Sequence, residues 1–327
     1  MRAVVIKAFG GPEMMQVEEV DRPEPAPNQV RVKVMATSVN RADINQRQGN
    51  YPPPKGESHI LGLEVAGVID SLGSKVTDWA TGDRVMGLVA GGGYAEYALA
   101  YASHLIPIPQ DMDFTLAACI SETYITAFLN IYLIGDLQAG ETVLLHGGGG
   151  GVNTAAIQLC RTLTPEATLI VTASPQKIKR VAALGADRVV NYRHQDFATE
   201  VRSFTANHGA DLILDHIGAD YLASNLKALA VGGRLVIIGV TSGAVATINL
   251  ARLMVKRQRI CGSVLRARSV DEKARITAAF REQVMPYVIK QKIEPVVHRI
   301  FPFEAVSEAH REMEDSRHFG KIVLAVQ

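Results

Sequence analysis

Cysteine is scarce in this sequence: Cys119, Cys160 and Cys261 are the only three in 327 residues, far apart and without metal-ligand spacing. They are too few for a four-cysteine zinc site, and each reads as a small packing residue in an apolar setting. A surplus of one charge is missing too. Thirty-four Lys and Arg face 33 Asp and Glu, leaving a net charge of +1 with no long block of either sign. That balance gives no support to a nucleic-acid or membrane partner. The opening MRAVVIKAFGGPE lacks a secretory pattern, and the apolar runs read as shorter than the roughly 20 residues of a membrane span. A cytoplasmic location is expected. None of the nine histidines has a visible partner constellation, His146 and His216 reading as positional, and no G-x-S-x-G nucleophile motif competes.

What the sequence does have is a glycine run, Gly147 to Gly151, inside ETVLLHGGGGGVNTAAIQL. The apolar Thr142 to Leu145 precedes it, and an Ala-rich segment with Ala155, Ala156 and Leu159 at helical spacing follows. That is a strand, a tight turn and a helix. Glycines let a backbone approach a pyrophosphate, and the free N–H groups at a helix N-terminus favour negative charge. Gly148, Gly150, Gly151 and Val152 are therefore candidate dinucleotide ligands. The G-x-G-x-x-G reading places Asn153 at its last position, so the fingerprint is imperfect and a flexible connector is the competing reading.

With 47% apolar and 20% charged residues, the chain is long enough for two domains. Residues 1 to about 120 carry short runs of Val, Ile and Ala broken by Gly and Pro, including Met1 to Ala8, Gln29 to Val39, Leu61 to Leu72, Asp83 to Val89 and Ala95 to Ala100. They predict a largely antiparallel β domain, with Asn40 to Ile60 as a candidate substrate surface. From about Ser121, six apolar strands alternate with helical segments, which predicts a doubly wound parallel sheet of α/β class. The last strand, Lys321 to Val326, pairs most economically with the first domain. The expected division is therefore 1–122 plus 293–327 for the β domain and 123–292 for an inserted nucleotide domain.

Over nearly its whole length the sequence resembles the zinc-independent, zeta-crystallin-like quinone oxidoreductases of the medium-chain dehydrogenase/reductase superfamily, most nearly the tumour-suppressor-inducible group. SVNRAD at Ser38 to Asp43, RQGNYPPP at Arg47 to Pro54, ILGLEVAG at Ile60 to Gly67, TGDRVMGL at Thr81 to Leu88, GVNTAAIQL at Gly151 to Leu159 and GKIVL at Gly320 to Leu324 carry the match. The resemblance implies a GroES-like catalytic domain, an inserted Rossmann domain, bound NADPH, and a homodimer built through the edge strand Arg259 to Val264. Asn153 departs from the glycine usual there. Replacing it with Gly is expected to tighten NADPH binding if the side chain crowds the junction.

Zinc-dependent relatives carry Gly-His-Glu where this chain has Gly62-Leu63-Glu64, and leucine cannot ligate a metal. Glu64 then reads as a structural hydrogen-bonding residue or a catalytic acid, and Asp43 as a helix-start residue. After the second nucleotide-domain strand, Val171-Thr172-Ala173-Ser174-Pro175-Gln176-Lys177 offers no acid to bind ribose hydroxyls. Ser174 and Lys177 suit a 2′-phosphate instead, and the resemblance adds Tyr192. It also implies Thr126 near the nicotinamide. Ile217, Gly239 and Val240 end strands where such sheets bind ligands. Leu265 and Arg266 are candidates to flank the nicotinamide, with Arg266 equally readable as a dimer-surface residue. Asn40 and Tyr51 are the catalytic candidates: an amide donor toward the acceptor, and a phenol that either donates a proton or packs as a lid.

These readings predict NADPH-dependent, metal-free reduction of a small-molecule quinone. The alternatives are reduction of activated alkenes and enones, or a weakly catalytic NADPH-binding redox sensor.

Overall fold

A computed structural model describes all 327 residues as two compact units. The first comprises Met1–Ile125 and Leu265–Gln327, the second Thr126–Val264. Segment 265–292, expected with the nucleotide domain, thus clusters with the first unit. Specific bonds hold it there: His104 Nε2 contacts Val270 O at 2.9 Å, and Arg266 Nε and Nη2 donate to Ala90 O.

In the first unit β1 (Arg2–Ile6) and β2 (Met15–Glu19) form a hairpin, while the main sheet uses β3 (Gln29–Val39), β4 (Glu64–Leu72), β5 (Arg84–Leu88), β6 (Tyr97–Tyr101) and β7 (Leu105–Pro107). The strand β3 shows how pattern becomes structure. From Gln29 to Met35 its residues alternate between part-buried and buried, so one face packs on the core. From Ala36 to Val39 every residue is buried. There the C-terminal strand β15 (Lys321–Ala325) pairs antiparallel with it, Ile322 opposite Val39, and β14 (Val297–Pro302) adds in parallel outside β15. The chain's end therefore completes the sheet that its first hundred residues began. Gly320 makes that entry possible: its φ is +88°, and a Cβ there would lie 2.1 Å from Val296 O.

The second unit is one parallel sheet, built from β8 (Thr142–Leu145), β9 (Thr168–Ala173), β10 (Arg188–Asn191), β11 (Ala210–Asp215), β12 (Leu229–Ile237) and β13 (Arg259–Gly262). Its order is β10-β9-β8-β11-β12-β13, every neighbouring pair parallel. The direction of winding reverses between β8 and β11, and in open sheets of this kind a crevice for ligands lies at the strand C-termini beside that reversal.

One helical run, Phe114–Ile134, is long and apolar enough to cross a membrane, which corrects the expectation of shorter runs; 72% of its apolar window is buried inside the protein. Two helices follow Ser269, Val270–Gln283 and Met285–Ile289, with Pro286 in the first turn of the second, where its missing N–H is not required.

Candidate active site

Two clusters of polar residues are built into these units, one in each. In the first unit the organising group is Glu64, at the start of β4 and fully buried. Its Oε1 accepts from Ser38 Oγ at 2.5 Å, Lys321 Nζ at 2.9 Å and Asn40 Nδ2 at 3.0 Å, and its Oε2 accepts from the Glu122 N–H at 2.8 Å. Lys321 Nζ also donates to Asn40 Oδ1 at 2.7 Å. A lysine only donates and a carboxylate only accepts, so this circuit fixes which way the Asn40 amide points. Asn40, 8% exposed, is turned inward as a link between Glu64 and Lys321, its amide engaged on both sides.

Asp43 sits in the first turn of the helix Arg41–Arg47, where its Oδ2 accepts the Asn40 N–H and its Oδ1 the Gly62 N–H. Burial pushes its carboxyl up to about 6, against the lowering effect of those two bonds. Tyr51 is part-buried, and burial also raises its phenol. Arg266 stands beside it, its Cζ 5.3 Å from the Tyr51 ring centroid. Only 6% exposed and hydrogen-bonded to Ala90 O, Arg266 is an internal residue, and its dimer-surface reading is set aside. Glu122, which the sequence reading did not single out, is pushed up to about 8 by burial and by the Glu64 charge, with Lys321 opposing. A signal for it existed: it is the one charged residue between Phe114 and Ile134.

In the second unit the glycine loop connects β8 to the helix Gly151–Leu163. A Cβ on Gly148 would lie 2.4 Å from Val171 Cγ1, and one on Gly149 would lie 2.4 Å from Lys177 Cδ. Gly150 meets only Gly147 O at 3.6 Å. The loop is therefore packed underneath, crossed by the Lys177 stem, and open at Gly150, beyond which the helix presents the N–H groups of Gly151 and Val152. Those are the features a pyrophosphate needs, so the residues present fit a dinucleotide.

The loop is anchored from below. His146 is fully buried, with Nε2 2.7 Å from Asn225 Oδ1 and Nδ1 3.2 Å from Thr172 Oγ1. Asn225 in turn donates to Asp215, whose oxygens accept the N–H groups of Ile217 and Gly218. Burial drives the His146 imidazole down to about 3, so it stays neutral and acts as a fixed strut between three strand ends. Asn153 completes the structure from the helix side: its Nδ2 donates to His146 O at 2.5 Å and to Gly147 O at 3.2 Å. The side chain ties the loop down and does not crowd it.

Ser174 follows β9, Tyr192 follows β10, Ile217 follows β11, and Gly239 and Val240 follow β12. All lie with Lys177 and residues 148–153 at one end of the sheet. Thr126 opens the second unit, and Leu265 belongs to the first. No group of three or more His, Cys, Asp or Glu side chains is arranged to hold a metal ion.

Two outcomes follow from this geometry. Lys321→Met leaves Glu64 as an unpaired buried charge, so urea unfolding should show a loss of about 3–5 kcal/mol, largely recovered when Glu64→Gln is added; a single-variant loss no larger than that of a surface substitution contradicts the network. Asn153→Gly removes two bonds to the loop but also a buried Oδ1 that has no donor, terms of about 1 kcal/mol each that nearly cancel in stability. Its effect should appear as weaker dinucleotide binding, about three- to tenfold, measured by fluorescence titration. Tighter binding would restore the crowding reading.

Comparison with known proteins agrees with both units. The alcohol dehydrogenase GroES-like domain model matches residues 26–110, and the zinc-binding dehydrogenase model matches residues 184–324. The quinone oxidoreductase of Lama guanicoe is 33% identical, covering 100% of this chain and 98% of its own. Among solved structures, an NAD-dependent alcohol dehydrogenase is 36% identical with a TM-score of 0.87, and Escherichia coli quinone oxidoreductase complexed with NADPH is 27% identical with a TM-score of 0.89, each covering 100% of both chains. A full-length match of this order, on a GroES-like β unit joined to a parallel Rossmann sheet, means that the chain belongs to the quinone oxidoreductase family of the medium-chain dehydrogenase/reductase superfamily.

Proposed function

We propose that this protein is an NADPH-dependent reductase of quinones that works without a metal. The observation that carries the cofactor choice is Lys177. Its stem lies along Gly149, with Nζ 3.3 Å from where a Gly149 Cβ would be, and the β9 end that precedes it, Ala173-Ser174-Pro175, bears no carboxylate. A cation there attracts a 2′-phosphate, and no acid is present to repel one. Ser174 and Tyr192 are assigned to the same phosphate. The pyrophosphate is assigned to the N–H groups of Gly151 and Val152, over the loop surface formed by Gly148, Gly150 and Asn153, whose own N–H groups donate to Thr172 O, Gly147 O and Gly150 O, with Ile217, Gly239 and Val240 along the remaining strand ends. Thr126, which opens the second unit, is assigned to the nicotinamide.

When bound, the nicotinamide supplies a hydride. The protein orients the acceptor and meets the negative charge that develops on its oxygen. We assign acceptor contact to Tyr51, with Arg266 beside its ring, and assign Asn40 the task of holding Glu64 and Lys321 in register. Leu63, standing where zinc-dependent relatives have His, supports metal-free chemistry. The relatives named quinone oxidoreductase support the substrate. The β13 strand is an edge of its sheet, which supports a homodimer formed by pairing that edge.

Lys177→Ala should weaken NADPH binding about 10- to 100-fold, the worth of a charge-assisted hydrogen bond, and leave NADH nearly unchanged. Equal losses for both cofactors would remove the 2′-phosphate assignment. Turnover of 1,4-benzoquinone compared with that of an α,β-unsaturated ketone decides between the quinone and enone readings; binding of NADPH without oxidation by either acceptor points to the noncatalytic alternative.

A further inference from the structure

Reduction of a conjugated carbonyl needs a proton as well as a hydride, and the first unit holds a group placed to give one. Glu122 lies in the first turn of the helix Ser121–Phe128, the only charged side chain in an otherwise uncharged run of 21 residues. Its position is fixed through its main chain, since the Glu122 N–H donates to Glu64 Oε2 at 2.8 Å. Its own carboxyl makes no hydrogen bond and no ion pair, although the neighbouring acids are saturated: Glu64 accepts four bonds from side chains and main chain, and Asp43 accepts from Asn40, Gly62 and Tyr94. A carboxyl without a partner in a part-buried site has no structural task to account for it.

The surroundings of that carboxyl divide into two groups. Glu64, Asp43 and Lys321 act on it from the buried network. Tyr51, Arg266 and Lys273 lie within electrostatic reach of its charge, and two of these are the residues assigned to the acceptor. Glu122 also retains part of its surface toward solvent, which gives a spent carboxylate a route to a new proton.

We propose that Glu122 is the proton donor to the reduced acceptor. This rests on the reading of the protein as a reductase of conjugated carbonyls. The hydride adds two electrons and one hydrogen to the acceptor, leaving an oxyanion. The Glu122 O–H bond breaks as the acceptor O–H forms, and the carboxylate recovers its proton from solvent. Cofactor, acceptor and one proton thus balance against oxidised cofactor and the reduced product. Arg266 and Lys273 supply positive charge near the oxyanion, while Glu64 and Asp43 keep the Glu122 carboxyl protonated at neutral pH, burial being the larger cause.

The sign of the pH dependence follows. The acid is active when protonated, so turnover should fall as pH rises through about 8, the value to which the carboxyl is pushed. Glu122→Gln should lower kcat about tenfold or more and abolish that alkaline limb, with Glu122→Asp restoring it. A kcat and limb unchanged in Glu122→Gln, in a protein whose wild type does reduce quinone, overturns the proton-donor assignment alone; a wild type inactive on quinones and enones overturns the functional reading instead. A measurement without turnover stands beside these. Infrared difference spectra of the wild type, made with carboxyl-labelled glutamate to separate it from aspartate, should show one protonated glutamate that ionises near pH 8 and is missing from Glu122→Gln. Its absence from the wild type, or its persistence in the variant, refutes the proposal even if the variant folds poorly.

Discussion

The first unit depends on one ion pair, Glu64 with Lys321, buried to the point that their side chains are 0% and 3% exposed. Removing two charges from water costs several kcal/mol per ion unless further bonds compensate. Here they do: Ser38, Asn40 and the Glu122 N–H complete the carboxylate, and Asn40 Oδ1 takes a second ammonium proton. The partners come from β3, the turn after it, β4, the helix at Ser121 and β15. A pair 257 residues apart in sequence therefore fixes where the chain's last strand enters the sheet and how the helix bearing Glu122 begins.

The second unit solves a different problem with neutral groups. A run of five glycines is costly to order, and it is held by a chain of hydrogen bonds from Thr172 through His146 and Asn225 to Asp215, with Asn153 closing it from the helix. Phe197 and Tyr221 pack edge-on against the His146 ring at 4.7 and 4.8 Å. Burial of a neutral imidazole costs far less than burial of a charge. The loop's upper surface is thereby left to the helix N–H groups and Lys177.

Much of this was legible in the sequence, because strands buried on one or both faces leave a pattern. The span Gln29–Val39 matches the observed strand end to end, and the six parallel strands expected after Ser121 are six in the structure; β2, with the half-polar sequence MQVEE, carries no such pattern. In the candidate site the glycine loop and the missing acid after β9 are local features and were visible. The inward turn of Asn40, the burial of Arg266 and the pairing of Lys321 with Glu64 depend on residues that meet only after folding, and short-range spacing carries no trace of them. Asn153 was read as a departure from a motif; it is a side chain that supplies two bonds glycine cannot make.

The central claim is that residues 148–153 and Lys177 together form an NADPH phosphate site, and a crystal structure of the protein grown with NADPH tests it most directly. The account predicts the pyrophosphate on the N–H groups at Gly151 and Val152, with the 2′-phosphate within salt-bridge distance of Lys177 Nζ. Phosphate density away from the glycine loop, or a 2′-phosphate with Lys177 turned aside, would contradict it.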